Sequence, residues 1–335
     1  MKTKKRIYVI GGIVLGLILV LSISVFAYIE SLTGLVEQGE DEPFPTTATL
    51  EATTTVATET VLPTTETTIE VTTTTEVDEA ALIDVRSDSK VYNILLVGSD
   101  RRDTESSGRS DAMIILSINK RTHKIHLASL TRGLYVKIPD HGKYMLNAAY
   151  SYGGSKLMRE TIELNFRVHI DDYIRIDFSG FETAINAVGG VDIDLTEKEV
   201  AELNLEFGTV LSAGPNHLDG ALALAYSRIR HIDSDYARTG RQRKVIECLI
   251  HQMGQLDALQ LDGMLRQVLP LIKTNLGADK LIGLAMDGLQ YKDYPISQLM
   301  LPVKGTYKTI IVNGMQVEKF DFSDNIEAMH HFLFD

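Results

Sequence analysis

Between Ile7 and Ile29 the chain carries no charged residue. A helix rising ~1.5 Å per residue crosses a ~30 Å hydrocarbon core in about 20 residues, so this run predicts a membrane span. Lys2, Lys4, Lys5 and Arg6 precede it and Glu30 follows it. That bias sets the N-terminus in the cytoplasm and everything beyond Glu30 outside. Val25-Phe-Ala27 has the form of a small-residue cleavage site, but the apolar stretch is longer than the core of a secretory signal, and a retained single-pass anchor in the cell membrane is expected.

Beyond the anchor the hydrophobic pattern vanishes. Residues 30–86 are dominated by threonine, glutamate, valine and alanine, densest at Thr72–Thr75. Too few large apolar side chains are present to build a core, so an acidic, disordered, extracytoplasmic linker is predicted. As a flexible coil it would hold its ends about 40 Å apart.

Residues 87–335 restore the pattern and suffice for one large domain. Tyr92–Val97 is an unbroken apolar run of strand length. Ala112–Ile118 and Lys124–Leu130 read as two more strands around the polar turn Asn119–His123. Tyr173–Asp177 and Val191–Leu195 alternate as half-buried strands do, and Phe181–Val188 between them is helical, closed by Gly189-Gly190. Further helices are expected at Gly154–Leu164, Thr196–Leu203, Asp219–Tyr226, Thr239–Leu256, Leu261–Ile272 and Ala278–Leu289. A strand at Lys308–Val312 and a helix at Asp324–Phe334 complete the pattern. The implied class is α/β: a central mixed sheet flanked by helices on both faces. The organisation is thus anchor (1–29), linker (30–86) and folded domain (87–335).

Charge changes this picture at one place. The formal net charge is −12, yet Tyr226–Arg243 holds Arg228, Arg230, Arg238, Arg241 and Arg243. Guanidiniums pair with phosphate oxygens through a planar fork of donors, so such a cluster points to a phosphate ligand. Arg238 and Gln242 are four apart and share a helical face, with Arg241 nearby. Arg228 and Arg230, two apart, share a side only in extended chain, so joint grip on one phosphate requires the preceding helix to have unwound by Arg228. Arg243 reads as part of a solvated helix face. The single cysteine, Cys248, excludes an intramolecular disulfide, and its apolar helical surroundings make it a buried thiol rather than a nucleophile.

Other candidates fall beside strand ends. Asp100 follows the first strand and Arg109 and Asp111 open the second, which returns two carboxylates and an arginine to one edge of a sheet. Asp100 and Asp111 suit a hard divalent cation, which takes one or two carboxylates and completes its shell with water and phosphate oxygens. Arg132 follows the third strand, where it and Arg109 could converge on one anion. Phe178, Phe181, Ile185 and Val188, with Ile246, Leu249, Leu265, Val268, Leu269 and Ile272, could line an apolar slot, although such helix faces commonly form core. No phosphate-binding Gly-rich loop with Lys-Ser/Thr and no Gly-x-Ser-x-Gly elbow occurs, and the histidines lack zinc spacing. Nucleic-acid binding is not expected, because it wants a basic cytosolic reading element and only a handful of residues precede the expected span.

Gly98-Ser-Asp100, Gly108-Arg-Ser-Asp111, Ser129-Leu-Thr-Arg132, Asn147-Ala-Ala-Tyr-Ser-Tyr-Gly153, Gly189-Gly-Val-Asp192 and the arginine segment occur in this order. On these motifs the outer domain resembles the LytR-CpsA-Psr family of cell-wall phosphotransferases, closely over Val91–His251 and more loosely beyond. The resemblance implies transfer of a phosphate-linked glycopolymer (teichoic acid, capsule or another anionic wall polymer) from a polyprenyl-pyrophosphate carrier to peptidoglycan, assisted by magnesium or manganese. It places metal ligands at Asp100 and Asp111 and pyrophosphate ligands at Arg109, Arg132, Arg228, Arg230, Arg238 and Gln242. Arg109, Arg132 and Asp111 are then expected at the reacting phosphate, and the apolar positions around the prenyl chain. Two alternatives use the same site: a polyprenyl-pyrophosphate hydrolase, with water as acceptor, and a non-catalytic module that holds the lipid carrier. The chain departs from the family pattern where Thr131, Arg132 and Gly133 replace proline, arginine and aspartate, and where Met145 replaces a lysine, with Lys143 close by. No residue announces itself as the general base.

Overall fold

The computed structural model describes residues 31, 34–35, 37–38, 83–99, 110–277, 280, 284, 287–288 and 290–335. The run Ile7–Ile29 and most of the linker lie outside these, as do Asp100, Arg109 and most of the expected helix at 278–289. Among the described residues no helix is long and apolar enough to cross a membrane.

In chain order the elements are β1 (Glu37–Gln38), β2 (Val91–Ser99), β3 (Ser110–Asn119), β4 (Lys124–Leu130), β5 (Tyr135–Ile138), β6 (Gly142–Met145), α1 (Ala148–Phe166), β7 (Asp172–Asp177), α2 (Phe178–Ala187) and β8 (Val191–Leu195). They continue with α3 (Glu197–Phe207), β9 (Gly214–Leu218), α4 (Gly220–Arg228), α5 (Asp235–Met253), α6 (Ala258–Val268), β10 (Ile272–Thr274), β11 (Ile296–Leu301), β12 (Tyr307–Val312), β13 (Met315–Phe320) and α7 (Phe322–Phe334). The central sheet has the order β1-β10-β7-β2-β3-β4-β11. It is mixed: β2 pairs antiparallel with β3 and β3 with β4, whereas β7 lies parallel to β2 and β11 parallel to β4.

Helices cover both faces, as the patterning implied. Leu95, Val97, Met113, Ile115 and Leu130 point to one side and pack with Met158, Ile162 and Phe166 of α1 and Met329 and Leu333 of α7. Their strand neighbours Leu116, Ile118 and Ile125 point the other way and meet Ile250 of α5 and Tyr291. Such alternation follows from the two-residue period of a strand. Central strands buried on both faces need apolar residues at successive positions, which is why β2 and β3 read as unbroken hydrophobic runs.

Several boundaries moved, each for a local reason. The helix expected at Thr239 begins at Asp235 because the Ser234 hydroxyl caps the Ala237 N–H at 3.3 Å. The helix expected through Ile272 ends at Val268, where Pro270 cannot supply a helical N–H, and Ile272–Thr274 becomes a strand. Within α1, Gly153 and Gly154 are non-helical and break the rod near its start. Val191–Leu195 is a strand, but it pairs with β9 in a separate hairpin rather than in the central sheet. Arg243 is half-buried rather than solvated, with Nε 2.9 Å from Gln298 Oε1 on β11. Cys248 is half-buried, and burial raises its thiol pKa, consistent with an inert side chain.

Close approach of α4 to α2 depends on Gly220, where a Cβ would sit 2.8 Å from the carbonyl carbon of Glu182. Gly220→Ala should therefore push the two helices apart at a cost of about 1–3 kcal/mol, the usual range for overpacking. A thermal melt several degrees below that of the parent chain is expected, and an unchanged melt would show that the helices yield freely.

Candidate active site

Strands β2, β4, β7 and β11 run in one direction, so Ser99, Leu130, Asp177 and Leu301 end at the same edge of the sheet, where the antiparallel β3 begins at Ser110. Ligands of open α/β sheets gather beyond carboxyl ends of this kind. The β3/β4 register, with Ile114 opposite Ser129, places Asp111 opposite Arg132 when continued past the strand ends. Accordingly, Arg132 Nη1 lies 3.0 Å from Asp111 Oδ1.

Two further segments converge there. Helix α4 persists through Arg228 and turns extended at Ile229, which carries Arg230 back over the sheet edge. Arg230 Nη2 reaches the same Asp111 Oδ1 at 3.3 Å. Helix α5 contributes Asp235 from its first turn and Arg238 one turn later. Asp235 Oδ1 is 3.4 Å from Arg132 Nη2 and 2.8 Å from Arg238 Nη2. Three guanidiniums from two distant parts of the chain are thereby linked through two carboxylates.

Arg238 is the most enclosed of the three, with its side chain 2% exposed. Burial pushes its pKa down to about 10, Asp235 and Asp111 raise it, and Arg132 and Arg230 lower it further, so it remains charged at neutral pH. Its Nε and Nη1, Arg132 Nε and Gln242 Oε1 are buried without a hydrogen-bond partner. Unpaired buried polar atoms are costly, and the guanidinium N–H groups of Arg132 and Arg238 are donors of the kind an anion satisfies, whereas the Gln242 oxygen is an acceptor that needs a donor. Helix α1 also starts here, since the Asn147 N–H lies 3.4 Å from the Arg132 carbonyl oxygen. The positive dipole end of that helix favours an anion nearby.

Not every expected ligand joins this network. Arg228 is exposed, and its guanidinium stacks 4.6 Å from the centre of the Phe178 ring at the start of α2. Arg241 serves an internal contact instead: it is 5% exposed, pairs with Asp233 at 2.7 Å and Glu199 at 3.3 Å, and donates to the Ile229 carbonyl at 2.9 Å. It holds the segment that presents Arg230. Asp235 was missed in the sequence because an aspartate amid arginines reads as surface charge. Its place in the first turn after the capping Ser234 was the available signal.

The apolar positions divide into two groups. Ile185 is fully buried, with Phe181 and Leu249 packed beside it, in a cluster that includes Val191, Leu218 and Tyr226. Leu265, Val268, Leu269 and Ile272 pack on Ile174 and Ile176 of β7, close to the edge where Asp177 and Phe178 follow. Val188 is buried and Ile246 half-buried. Among the described residues no group of three His, Cys, Asp or Glu side chains forms a metal cluster. Both arginine contacts to Asp111 fall on Oδ1.

The LytR_cpsA_psr family model matches residues 53–328. The polyisoprenyl-teichoic acid–peptidoglycan teichoic acid transferase TagU of Enterococcus faecalis is 36% identical over 205 residues, which are 58% of this chain and 65% of TagU. Less than two thirds of that relative is therefore spanned. TagT of B. subtilis bound to LIIa-WTA superposes with a TM-score of 0.63 at 25% identity, over 74% of this chain and 93% of that one. YwtF (TagT) with bound octaprenyl pyrophosphate lipid shares the fold, with a TM-score of 0.58 at 24% identity over 74% of this chain and 93% of that one. With ordered motifs, sheet architecture and a family match over most of its length in agreement, this chain belongs to the LytR-CpsA-Psr family.

Proposed function

We propose that this chain transfers a phosphate-linked glycopolymer from a polyprenyl-pyrophosphate carrier to a hydroxyl of peptidoglycan. The observation that carries the reading is the junction of Arg132, Arg230 and Arg238 on Asp111 and Asp235 at the carboxyl edge of the sheet. The apolar cluster of Leu265, Val268, Leu269 and Ile272 adjoins that edge and is the natural neighbour for a prenyl chain. The name of TagU and the lipid bound to YwtF are consistent with such a donor.

In the transfer, the acceptor oxygen forms a bond to the phosphorus that carries the polymer. The bond from that phosphorus to the bridging oxygen breaks, and its electron pair leaves on prenyl monophosphate. Phosphoryl transfer chiefly demands alignment and neutralisation of oxygen charge. Arg132 and Arg230, anchored on Asp111, and Arg238, anchored on Asp235, hold the diphosphate and offset charge that grows on the leaving phosphate. A magnesium or manganese ion held by Asp111 together with Asp100 would add Lewis-acid neutralisation of the phosphate oxygens. The N-terminal run supplies the anchor to the cytoplasmic membrane, and the folded domain works outside, where lipid carrier and wall meet.

The test uses the full chain in detergent. Mass spectrometry of co-purified lipid is expected to find a polyprenyl pyrophosphate. Incubation with an octaprenyl-pyrophosphate-linked labelled saccharide and peptidoglycan oligomers should give labelled oligomer, and EDTA should slow this at least tenfold, with magnesium restoring it. Free saccharide phosphate would instead mark a hydrolase, and unreacted bound donor a carrier-binding module. Equal turnover with and without chelator would remove the metal from the mechanism.

A further inference from the structure

Among the described residues a third carboxylate lies beside Arg132 and Asp235, on an element that no motif marks. Glu318 lies in β13, near the C-terminal end of the chain, and the β12–β13 hairpin lies against the loop that follows β4. The Glu318 N–H donates to the Gly133 carbonyl oxygen at 2.7 Å, and Leu134 bridges to Glu318 in parallel fashion. The side chain then turns over Gly133, where a Cβ would meet Glu318 Cγ and Cδ at 3.6 Å, an ordinary contact distance. The Thr131 hydroxyl donates to Glu318 Oε2. Glu318 thus occupies the space that a side chain at 133 would enter, with Arg132 between its two contacts in sequence.

The three carboxylates differ in how they are held. Asp111 is gripped by Arg132 and Arg230, and Asp235 by Arg132 and Arg238. Among the described residues Glu318 has no ion pair, and its side chain is held by a hydroxyl alone.

We propose that Glu318 is the proton acceptor for the incoming hydroxyl, an inference that rests on the transfer reading above. The acceptor O–H bond breaks, and its proton passes to a Glu318 carboxylate oxygen. The freed oxygen pair forms the bond to phosphorus while prenyl monophosphate departs, and Glu318 then returns the proton to solvent. The charged and titratable groups that face it are Arg132 from the β4–β5 connection and Asp235 and Tyr236 from α5, while Thr309 is its partner across the hairpin. Burial raises its pKa, with Asp235 adding to the rise and the Thr131 hydrogen bond and Arg132 opposing it, a balance that favours proton uptake nearer neutrality than an ordinary glutamate allows.

Glu318→Gln in the full chain, assayed with the octaprenyl-pyrophosphate-linked saccharide and peptidoglycan oligomers, is expected to lower kcat by about 100-fold or more, the usual size of a lost general base. The KM for donor and the affinity for octaprenyl pyrophosphate should change less than twofold, and the acid limb of the parent's kcat–pH profile should disappear. Glu318→Ala should lose kcat similarly, and adding Gly133→Asp, which returns a carboxylate to the same space, should recover at least tenfold. An ionised buried glutamate costs stability as pH rises above the ordinary carboxylate range, so Glu318→Gln should melt no lower than the parent at neutral pH. Parent-like kcat in Glu318→Gln, a loss confined to donor affinity, or a lowered melt with no recovery by Gly133→Asp would each overturn the assignment. Absence of transfer by the parent chain would instead sink the functional reading, and this assignment with it.

Discussion

Arg132→Ala should weaken binding of octaprenyl pyrophosphate by on the order of 100-fold, because truncating one partner of a desolvated charge pair costs about 2–5 kcal/mol and about 1.4 kcal/mol is a factor of ten. The effect is large because Arg132 touches both Asp111 and Asp235. Its removal takes one donor from the diphosphate and leaves two carboxylates less compensated beside it. Its side chain is 28% exposed, which holds the expectation to the lower part of that energy range. Arg228→Ala is the informative control. Its guanidinium is exposed and stacked on Phe178 outside the ion-pair network, so the loss there should be about tenfold at most, the scale of a cation–π or rim contact. Titration of each variant with the lipid, alongside a thermal melt to establish folding, separates these outcomes. Unchanged affinity in a folded Arg132→Ala protein would place the diphosphate elsewhere.

The largest effect on stability is expected from Arg241→Ala, at about 3–5 kcal/mol, since loss of one member of a buried ion cluster strands the others. Arg241 meets Asp233 through both terminal nitrogens at 2.7 Å, and Glu199 at 3.3 Å. Glu199 is itself 7% exposed and forms the capping box of α3 with Thr196. A domain of this size loses roughly 2–4 °C per kcal/mol, so the melt should fall by about 10 °C. The Arg241 hydrogen bond holds the Asp233 carboxyl below its ordinary value, against the opposing effect of burial. For a depressed carboxylate the stabilisation is present above the unfolded pKa and fades as pH falls through the folded one. The parent should therefore lose stability on acidification below the ordinary aspartate range, and Arg241→Ala should lose less over the same interval. Parallel pH dependence in the two proteins would show that Asp233 draws its shift from another source.

These contrasts among arginines mark where sequence reading succeeded and where it stopped. The spacing of Arg238 and Gln242 put them on one helical face, and Arg238 meets Asp235 in the ion-pair network while Gln242 keeps a buried oxygen without a partner. Nothing in the spacing separated Arg241, an internal clamp, from Arg230, a site residue, because both stand in one polar segment and differ only in what lies across from them. Arg243 appeared solvated until β11 was seen beside it. The β12–β13 hairpin has a local signature: Asn313-Gly314 is a strong two-residue turn signal, and Val312 pairs with Met315 across it. Glu318 could not have been singled out, because its backbone bond to Gly133 and its side-chain bond from Thr131 span 185 and 187 positions of the chain.

The sequence by itself determined the class of fold, the three adjacent strands β2, β3 and β4, and the family, because apolar periodicity and short ordered motifs are local properties that survive without coordinates. Only the tertiary structure decided which charges meet. Strand direction brought Asp111 opposite Arg132, the extended turn at Ile229 carried Arg230 to Asp111, and the cap at Ser234 placed Asp235 between Arg132 and Arg238. Ion pairing depends on separations of a few ångströms between residues about a hundred positions apart, a distance set by packing that no linear pattern encodes.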